Sequence, residues 1–228
     1  MNKKPKEDRK KKIRKSKGAG IVGGISETTS RQKILDASLK EFTDFGFEGA
    51  RVDRIARNAG INKAMIFYYF SSKENLYRTV IKDVMLDFVP RVLKLVQESS
   101  TPERLFETLP ALYIRYFSQK KDILKMIARE MIHAPRNITP LIREIFAQLP
   151  GLPSQILPRV IRDWHGQGWI SESDPVHFIF NIIPLCLFPL IAQPMVEAIF
   201  DVRIADDRDF LDKRIRSITH LLKRGMLL

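Results

Sequence analysis

Residues 175–196 run for 22 positions without a formal charge, and prolines stand at 184, 189 and 194 inside the run. A stretch this long and apolar has to be hidden from water, in a bilayer or in a protein interior. Pro184, Pro189 and Pro194 recur every five residues, and each removes a helix hydrogen bond. His177, Asn181 and Gln193 would also need polar partners in lipid. The segment therefore reads as a kinked helix buried in a protein core or a dimer interface. No stable membrane insertion is expected.

The rest of the chain is helical in the same way. Thr29-Ser30-Arg31-Gln32 offers an N-cap with Gln at the capping-box distance. Ile34, Leu35, Leu39, Phe42 and Phe45 then form one stripe, with Gly46 as the stop, predicting a helix over 30–45. Val52, Ile55, Ala56 and Ala59 mark a short second helix ending at Gly60. Asn62 caps a third over 63–70, and Ser71 or Ser72 opens a fourth. Further segments are expected at 72–97, 102–118, 121–133, 138–148, 154–168, 175–200 and 207–224. Pro90 either kinks the fourth helix or ends it. No run alternates as strands do and no fixed-period repeat appears, so the fold class is all-α.

Charge divides the chain unevenly. The formal net charge is +13, but residues 1–20 hold ten basic and two acidic residues, or 10 − 2 = +8 of it. This segment, which ends on Gly18 and Gly20 and is followed by Gly23 and Gly24, reads as part of a disordered basic tail over 1–29. It is a DNA-contacting arm, a membrane-surface arm or simply a solvated tail. Residues 30–89 carry only 10 − 8 = +2. Cys186 is the single cysteine, which excludes an intramolecular disulfide framework and a Cys-based zinc module and fits a reducing, cytoplasmic compartment. The four histidines lack metal-ligand spacing, and no Gly-x-Ser-x-Gly elbow, phosphate loop or His-Glu-x-x-His occurs. Neither an enzyme nor a metal or other cofactor is expected.

Function is carried by 55–70. Ala56 is a small residue where two helices cross, Gly60 supplies a positive φ four positions later, and Ile66 locks the next helix six after that. This is the spacing of a helix-turn-helix. It puts Lys63, Ala64, Met65 and Tyr68 on the end of the helix that would face base edges in a major groove.

The stretch RQKILDASLKEFTDFGFEGARVDRIARNAGINKAMIFYYFSSKENLY, about 31–77, resembles the tetracycline-repressor (TetR) family of transcriptional regulators. The order of its elements carries the likeness: Phe-x-x-Phe-Gly-Phe, then Ile-Ala-x-x-Ala-Gly-Ile, then Tyr-x-Phe-x-x-Lys-Glu-x-Leu. The resemblance implies a homodimer that binds double-stranded operator DNA, with a three-helix DNA-binding head at 30–89 and a helical ligand-binding and dimerisation domain at 90–228. It gives phosphate or base roles to Lys63, Ala64, Met65, Phe67, Tyr68 and Tyr69. Lys73, at the start of the fourth helix, would hold a phosphate. Three positions depart from the family pattern: Phe67 stands where Tyr is usual, Tyr69 where His is frequent, and Arg51 where a small hydroxyl residue caps the second helix. The Arg51 guanidinium is a candidate to replace the lost phosphate contact. Phe67 either packs beneath the recognition helix or touches DNA, and at most one of Tyr68 and Tyr69 points into the groove. The strongest expectation falls on Lys63, Tyr69 and Lys73.

In the C-terminal part, Phe106, Tyr113, Phe117, Trp164, Phe178 and Phe188 are candidate ligand contacts for a small hydrophobic or aromatic effector between 102–118, 154–168 and 175–194. Simple core packing is the competing reading of the same aromatics. Segment 208–222 either pairs with 175–200 across a two-fold axis or packs within its own chain. The expected function is a sequence-specific transcriptional regulator, a repressor released from its operator by an apolar effector. The alternatives are a non-specific basic DNA-binding protein and a membrane-associated helical protein.

Overall fold

The computed structural model describes residues 21–133, 135–149, 153–204 and 207–228. The basic segment 1–20, expected to be disordered, lies outside the described residues. The helices are α1 (Ile21–Gly49), α2 (Val52–Ala59), α3 (Lys63–Phe70), α4 (Lys73–Glu98), α5 (Pro102–Gln119), α6 (Lys121–His133), α7 (Pro135–Gln148), α8 (Pro153–Gly166), α9 (Pro175–Ile191), α10 (Gln193–Phe200) and α11 (Arg208–Met226). Among the described residues the only β pairing is an isolated antiparallel bridge between Ile170 and Leu227. The all-α expectation holds.

The larger differences from the expected boundaries are at the start of α1, at the 89/90 junction and within 175–200. Helix α1 begins at Ile21, so residues 21–29 are helical rather than part of the tail. Once Ile34, Leu35 and Phe42 are buried, lengthening a helix backwards adds one bond per residue without a new nucleus. At its other end α1 is broken at Gly46, whose φ of 68° and ψ of 179° are not helical. Helix α4 runs unbroken through Pro90 and across the junction expected at 89/90, so the N-terminal head and the body share one helix. Segment 175–200 is two helices, because the chain bends by 71° at the break between α9 and α10. Pro194 sits in the first turn of α10 and has no N–H to continue the ladder of α9. Among the described residues no single helix is long and apolar enough to cross a membrane; α9 and α10 reach that length only as the bent pair.

Prolines inside α5 and α9 decide how α11 docks. Pro110 and Pro189 cannot donate to the carbonyls four residues earlier, those of Phe106 and Leu185. Each freed carbonyl is taken by a side chain of α11: Thr219 Oγ1 donates to Phe106 O at 3.1 Å, and Arg214 Nη2 donates to Leu185 O at 2.9 Å. The inner face of α11, Leu211, Ile215, Ile218, Leu222 and Met226, is buried against the body. The intramolecular reading of 208–222 thus accounts for that face. Cys186 is buried beside Arg214, and desolvation pushes its thiol up to about 12.

One buried carboxylate positions the head. Glu41 is 2% exposed and accepts the Arg51 N–H at 2.8 Å and Arg54 Nε at 2.7 Å. Arg54 also donates to Gly49 O at 2.8 Å and lies 4.0 Å over the Phe45 ring. The first turn of α2 is thereby tied to α1. Head and body then share one continuous hydrophobic core, from Ile34 through Phe88 and Phe106 to Met226.

Two stability outcomes are expected. Thr219→Val leaves the buried Phe106 carbonyl without a donor and should cost about 1–3 kcal/mol in urea unfolding, a loss that Pro110→Ala reduces by restoring the backbone N–H. Glu41→Ala should cost about 2–3 kcal/mol and raise amide exchange at 51–55, with Glu41→Gln retaining part of the bond to the Arg51 N–H. A cost below 0.5 kcal/mol for either loss would mean that water or a neighbour replaces the lost partner.

Candidate nucleic-acid interface

Helices α2 and α3 are joined by a turn whose chemistry is in the sequence. Gly60 is left-handed, with φ 67° and ψ 35°. Its N–H reaches Arg57 O at 3.1 Å, and the Ile61 N–H reaches Ala56 O at 3.0 Å. This double bond pattern closes α2 in a Schellman turn that a side chain at 60 would strain. Asn62 then caps α3, its Oδ1 accepting the Ala64 N–H at 2.9 Å. Ile55, Ala56, Ile66 and Phe70 are buried where the two helices meet.

What remains outside is the N-terminal and outer face of α3: Lys63, Ala64, Met65, Phe67 and Tyr68. Phe67 is 43% exposed and Tyr68 73%, so Phe67 does not pack beneath the helix. Tyr69 is half-buried and packs on the core, edge to face with Tyr68 at 5.2 Å. Of the two tyrosines it is Tyr68 that faces outward. A one-residue step on a helix turns a side chain by about 100°, and the core takes one of the pair.

The charged candidates are already engaged. Lys63 Nζ lies 2.9 Å from Asp53 Oδ1. Its hydrogen bond to the carboxylate, with some help from Arg57 and Arg51, holds Asp53 below the usual carboxylate range. Lys73 Nζ donates to Ala50 O at 3.0 Å and sits 4.7 Å over the Phe47 ring. Its ammonium therefore braces the α1–α2 corner, and a phosphate would have to compete with that carbonyl. Arg51 is exposed; its backbone N–H is held by Glu41 and its side chain makes no cap, leaving the guanidinium free of that duty. Glu41, Arg54 and Asp53 were not among the expected site residues. The only signal for Glu41 was an acidic residue between the apolar positions Leu39 and Phe42, a pattern shared by many solvated carboxylates.

The expected ligand residues separate into two groups. Phe106 and Phe178 are fully buried and stacked with centroids 5.9 Å apart. Tyr113 and Phe117 pack against Phe88 at 4.8 Å each, and Trp164 is 4% exposed. Core packing thus accounts for these five as they stand. Phe188 is 58% exposed on the outer side of α9, away from them, because the core of that helix is made by Phe178, Ile182, Cys186 and Leu190.

Comparison with known proteins agrees with this geometry. Residues 34–80 match the family of bacterial regulatory proteins named for TetR. The chain is 28% identical over 208 residues to the helix-turn-helix transcriptional regulator RutR of Escherichia coli K12, covering 90% of this chain and 95% of that one. It is 26% identical to the transcriptional repressor NicS of Pseudomonas putida, over 86% and 92% of the two chains. Its fold is like that of the regulator FadR of Bacillus subtilis, solved with stearoyl-CoA, at a TM-score of 0.62 and 18% identity, covering 85% of this chain and 98% of that one. With a helix-turn-helix built on Ala56, Gly60 and Ile66, residues 34–80 form a DNA-binding domain of the TetR type, and over most of its length the chain is similar to helix-turn-helix transcriptional regulators.

Proposed function

We propose that the protein acts as a homodimeric repressor whose α3 enters the major groove of a palindromic operator and whose body, 90–228, binds a small, largely apolar effector that releases the DNA. The observation that carries the reading is the outward end of α3, presented on a turn that Gly60 and Asn62 make rigid. Lys63, Ala64, Met65, Phe67 and Tyr68 are its groove contacts, with Tyr69 at their edge. Arg51 and the N-terminal turn of α4 hold flanking phosphates, and Lys73 keeps that turn in place.

Dimerisation is supported by the outer face of α9 and α11. Phe180, Phe188 and Leu221 are each more than half exposed there, and with Asn181 and Pro184 they line a groove of about 570 Å³. A monomer seldom leaves such a patch in water. Arg214 lines the same groove, and its buried Nε has no acceptor among the described residues. A second copy placed across a two-fold axis covers the rings and offers acceptors. Phe188 then belongs to this interface.

The effector site rests on the aromatic part of the body core: Phe106 of α5 stacked on Phe178 of α9, Tyr113 and Phe117 of α5 around Phe88, and Trp164 of α8 in the same core. A ligand that parts α5 from α9 favours one body conformation; where that conformation spaces the recognition helices wrongly for the operator, ligand and DNA lower each other's affinity by the same factor. The likeness to a regulator solved with stearoyl-CoA agrees with an apolar ligand.

Selection from random duplex DNA is expected to return a palindrome with half-sites about 34–36 Å apart. Lys63→Ala should relax the preference at one base, whereas Arg51→Ala and deletion of 1–20 should weaken all sequences and flatten the salt dependence. Equal affinity for all duplexes would overturn the regulator reading in favour of non-specific binding. Sedimentation of the complex should give two chains per palindrome, and a Phe180→Asp, Phe188→Asp variant should sediment as a monomer. Fatty-acyl or aromatic compounds should raise the melting temperature and release the duplex; a monomeric wild type, or no response across such compounds, would remove the corresponding part of the proposal.

A further inference from the structure

The outward face of α3 is poor in the groups that read bases by hydrogen bonding. Its sequence, KAMIFYYF, contains no Arg, Asn, Gln, Asp or Glu. Those are the side chains that pair with the guanine, adenine and cytosine edges of a major groove. Two polar groups stand on the exposed part: the Lys63 ammonium, already bonded to Asp53, and the Tyr68 hydroxyl. The remainder is apolar. Ala64 is exposed, and Met65, Phe67 and Tyr68 are 36%, 43% and 73% exposed.

These side chains are held out by the fold. Ile66 and Phe70 fill the core side of α3, and the Asn62 cap and Gly60 turn fix its rotation, so Met65 and Phe67 cannot turn inward without displacing them. A major groove offers one apolar feature on its base edges, the C5 methyl of thymine. Hydrogen-bond readout and methyl readout make different demands on a helix, and this one meets the second.

We infer that the operator half-site is read chiefly through thymine methyl groups seated against Met65, Phe67 and Tyr68, with Lys63 as the one side chain on α3 suited to a guanine. The inference rests on the DNA-binding reading of α3 above. It adds the class of base edge that α3 recognises and makes the three apolar residues the determinants of specificity. Arg51 and Arg57, exposed on the flanking helix and its start, supply charge without base choice.

Replacing thymine by deoxyuridine removes the C5 methyl and leaves the pairing edge unchanged, which makes it the direct test. In the duplex selected by the full-length protein, each thymine is to be replaced in turn and affinity measured at fixed salt. A methyl in contact should be worth about fourfold in affinity, the weight of one buried methyl group, at two or more positions of each half-site. Deoxyuridine outside the half-sites should have no effect. In Met65→Ala, Phe67→Ala and Tyr68→Ala, whose side chains are exposed and whose loss leaves the core intact, the penalty should shrink at the base each residue covers. The inference is overturned if full replacement changes affinity by less than twofold, or if the penalties persist unchanged in all three variants, since DNA shape would then be their source. A clear sequence preference that ignores the methyl group removes this inference alone, whereas a protein without sequence preference removes the DNA reading as well.

Discussion

The corner at Gly46 is where the head of this protein is made and where it is held. Its positive φ ends the long first helix and turns the chain so that the Phe47 N–H donates to the buried Glu130 carboxylate of α6 at 3.2 Å. Arg129, next along α6, donates to Asp44 O at 2.7 Å, and Thr43 Oγ1 donates to Asp122 O at 2.9 Å. A side chain at 46 would strain the backbone and would press on Arg129 and Glu130, which lie 3.3 and 3.4 Å from where its Cβ would stand. Tyr77 of α4 closes the cluster edge-on to Phe42 and Phe47, and burial, followed by the Glu130 charge, raises its phenol. The orientation of the recognition helix follows from this corner, because α2 hangs from Glu41 just before it and Lys73 grips the carbonyl of Ala50 just after it.

Two connections therefore join head to body. One is α4, continuous through Pro90; the other is α6 bearing on the Gly46 corner. A change in the body that shifts α6 against α4 acts on the head through both, and close-packed interiors pass such shifts on rather than absorb them. The prolines contribute to the same economy of polar groups. Helices α5 and α9 each give up backbone bonds, and α11 restores two of them with Thr219 and Arg214, so its docking is specified by hydrogen bonds as well as by its apolar stripe.

Most of the helical framework was legible in the order of residues. Capping residues, glycine stops and proline starts act locally, and the segments expected over 52–59, 63–70, 102–118 and 121–133 lie within about a residue of the observed helices. The helix-turn-helix was legible for the same reason, as Gly60 and Asn62 carry their geometry with them. The start of α1 was misplaced because Thr29 and Ser30 look like a cap whether or not the preceding residues join the helix. The fate of the proline-rich run was only half visible: a buried, kinked helix was expected, but within the chain only one face of α9 and no residue of α10 is buried, and the kink is a 71° bend between two helices.

For the DNA face, the sequence by itself determined which residues occupy α3 and that the turn before it would hold. Only the tertiary structure decided which of them face outward. Tyr69 and Tyr68 are chemically identical, and their division between core and surface depends on the rotation of α3 against α2 and α4. The same holds for charge. Lys63 and Lys73 look alike in sequence, yet one is paired with Asp53 and the other with a backbone carbonyl, partners supplied by segments ten and twenty-three residues away. Local backbone chemistry fixes an element; a side chain's role is set by what the fold brings within hydrogen-bond reach of it, and that is a long-range property of the whole chain.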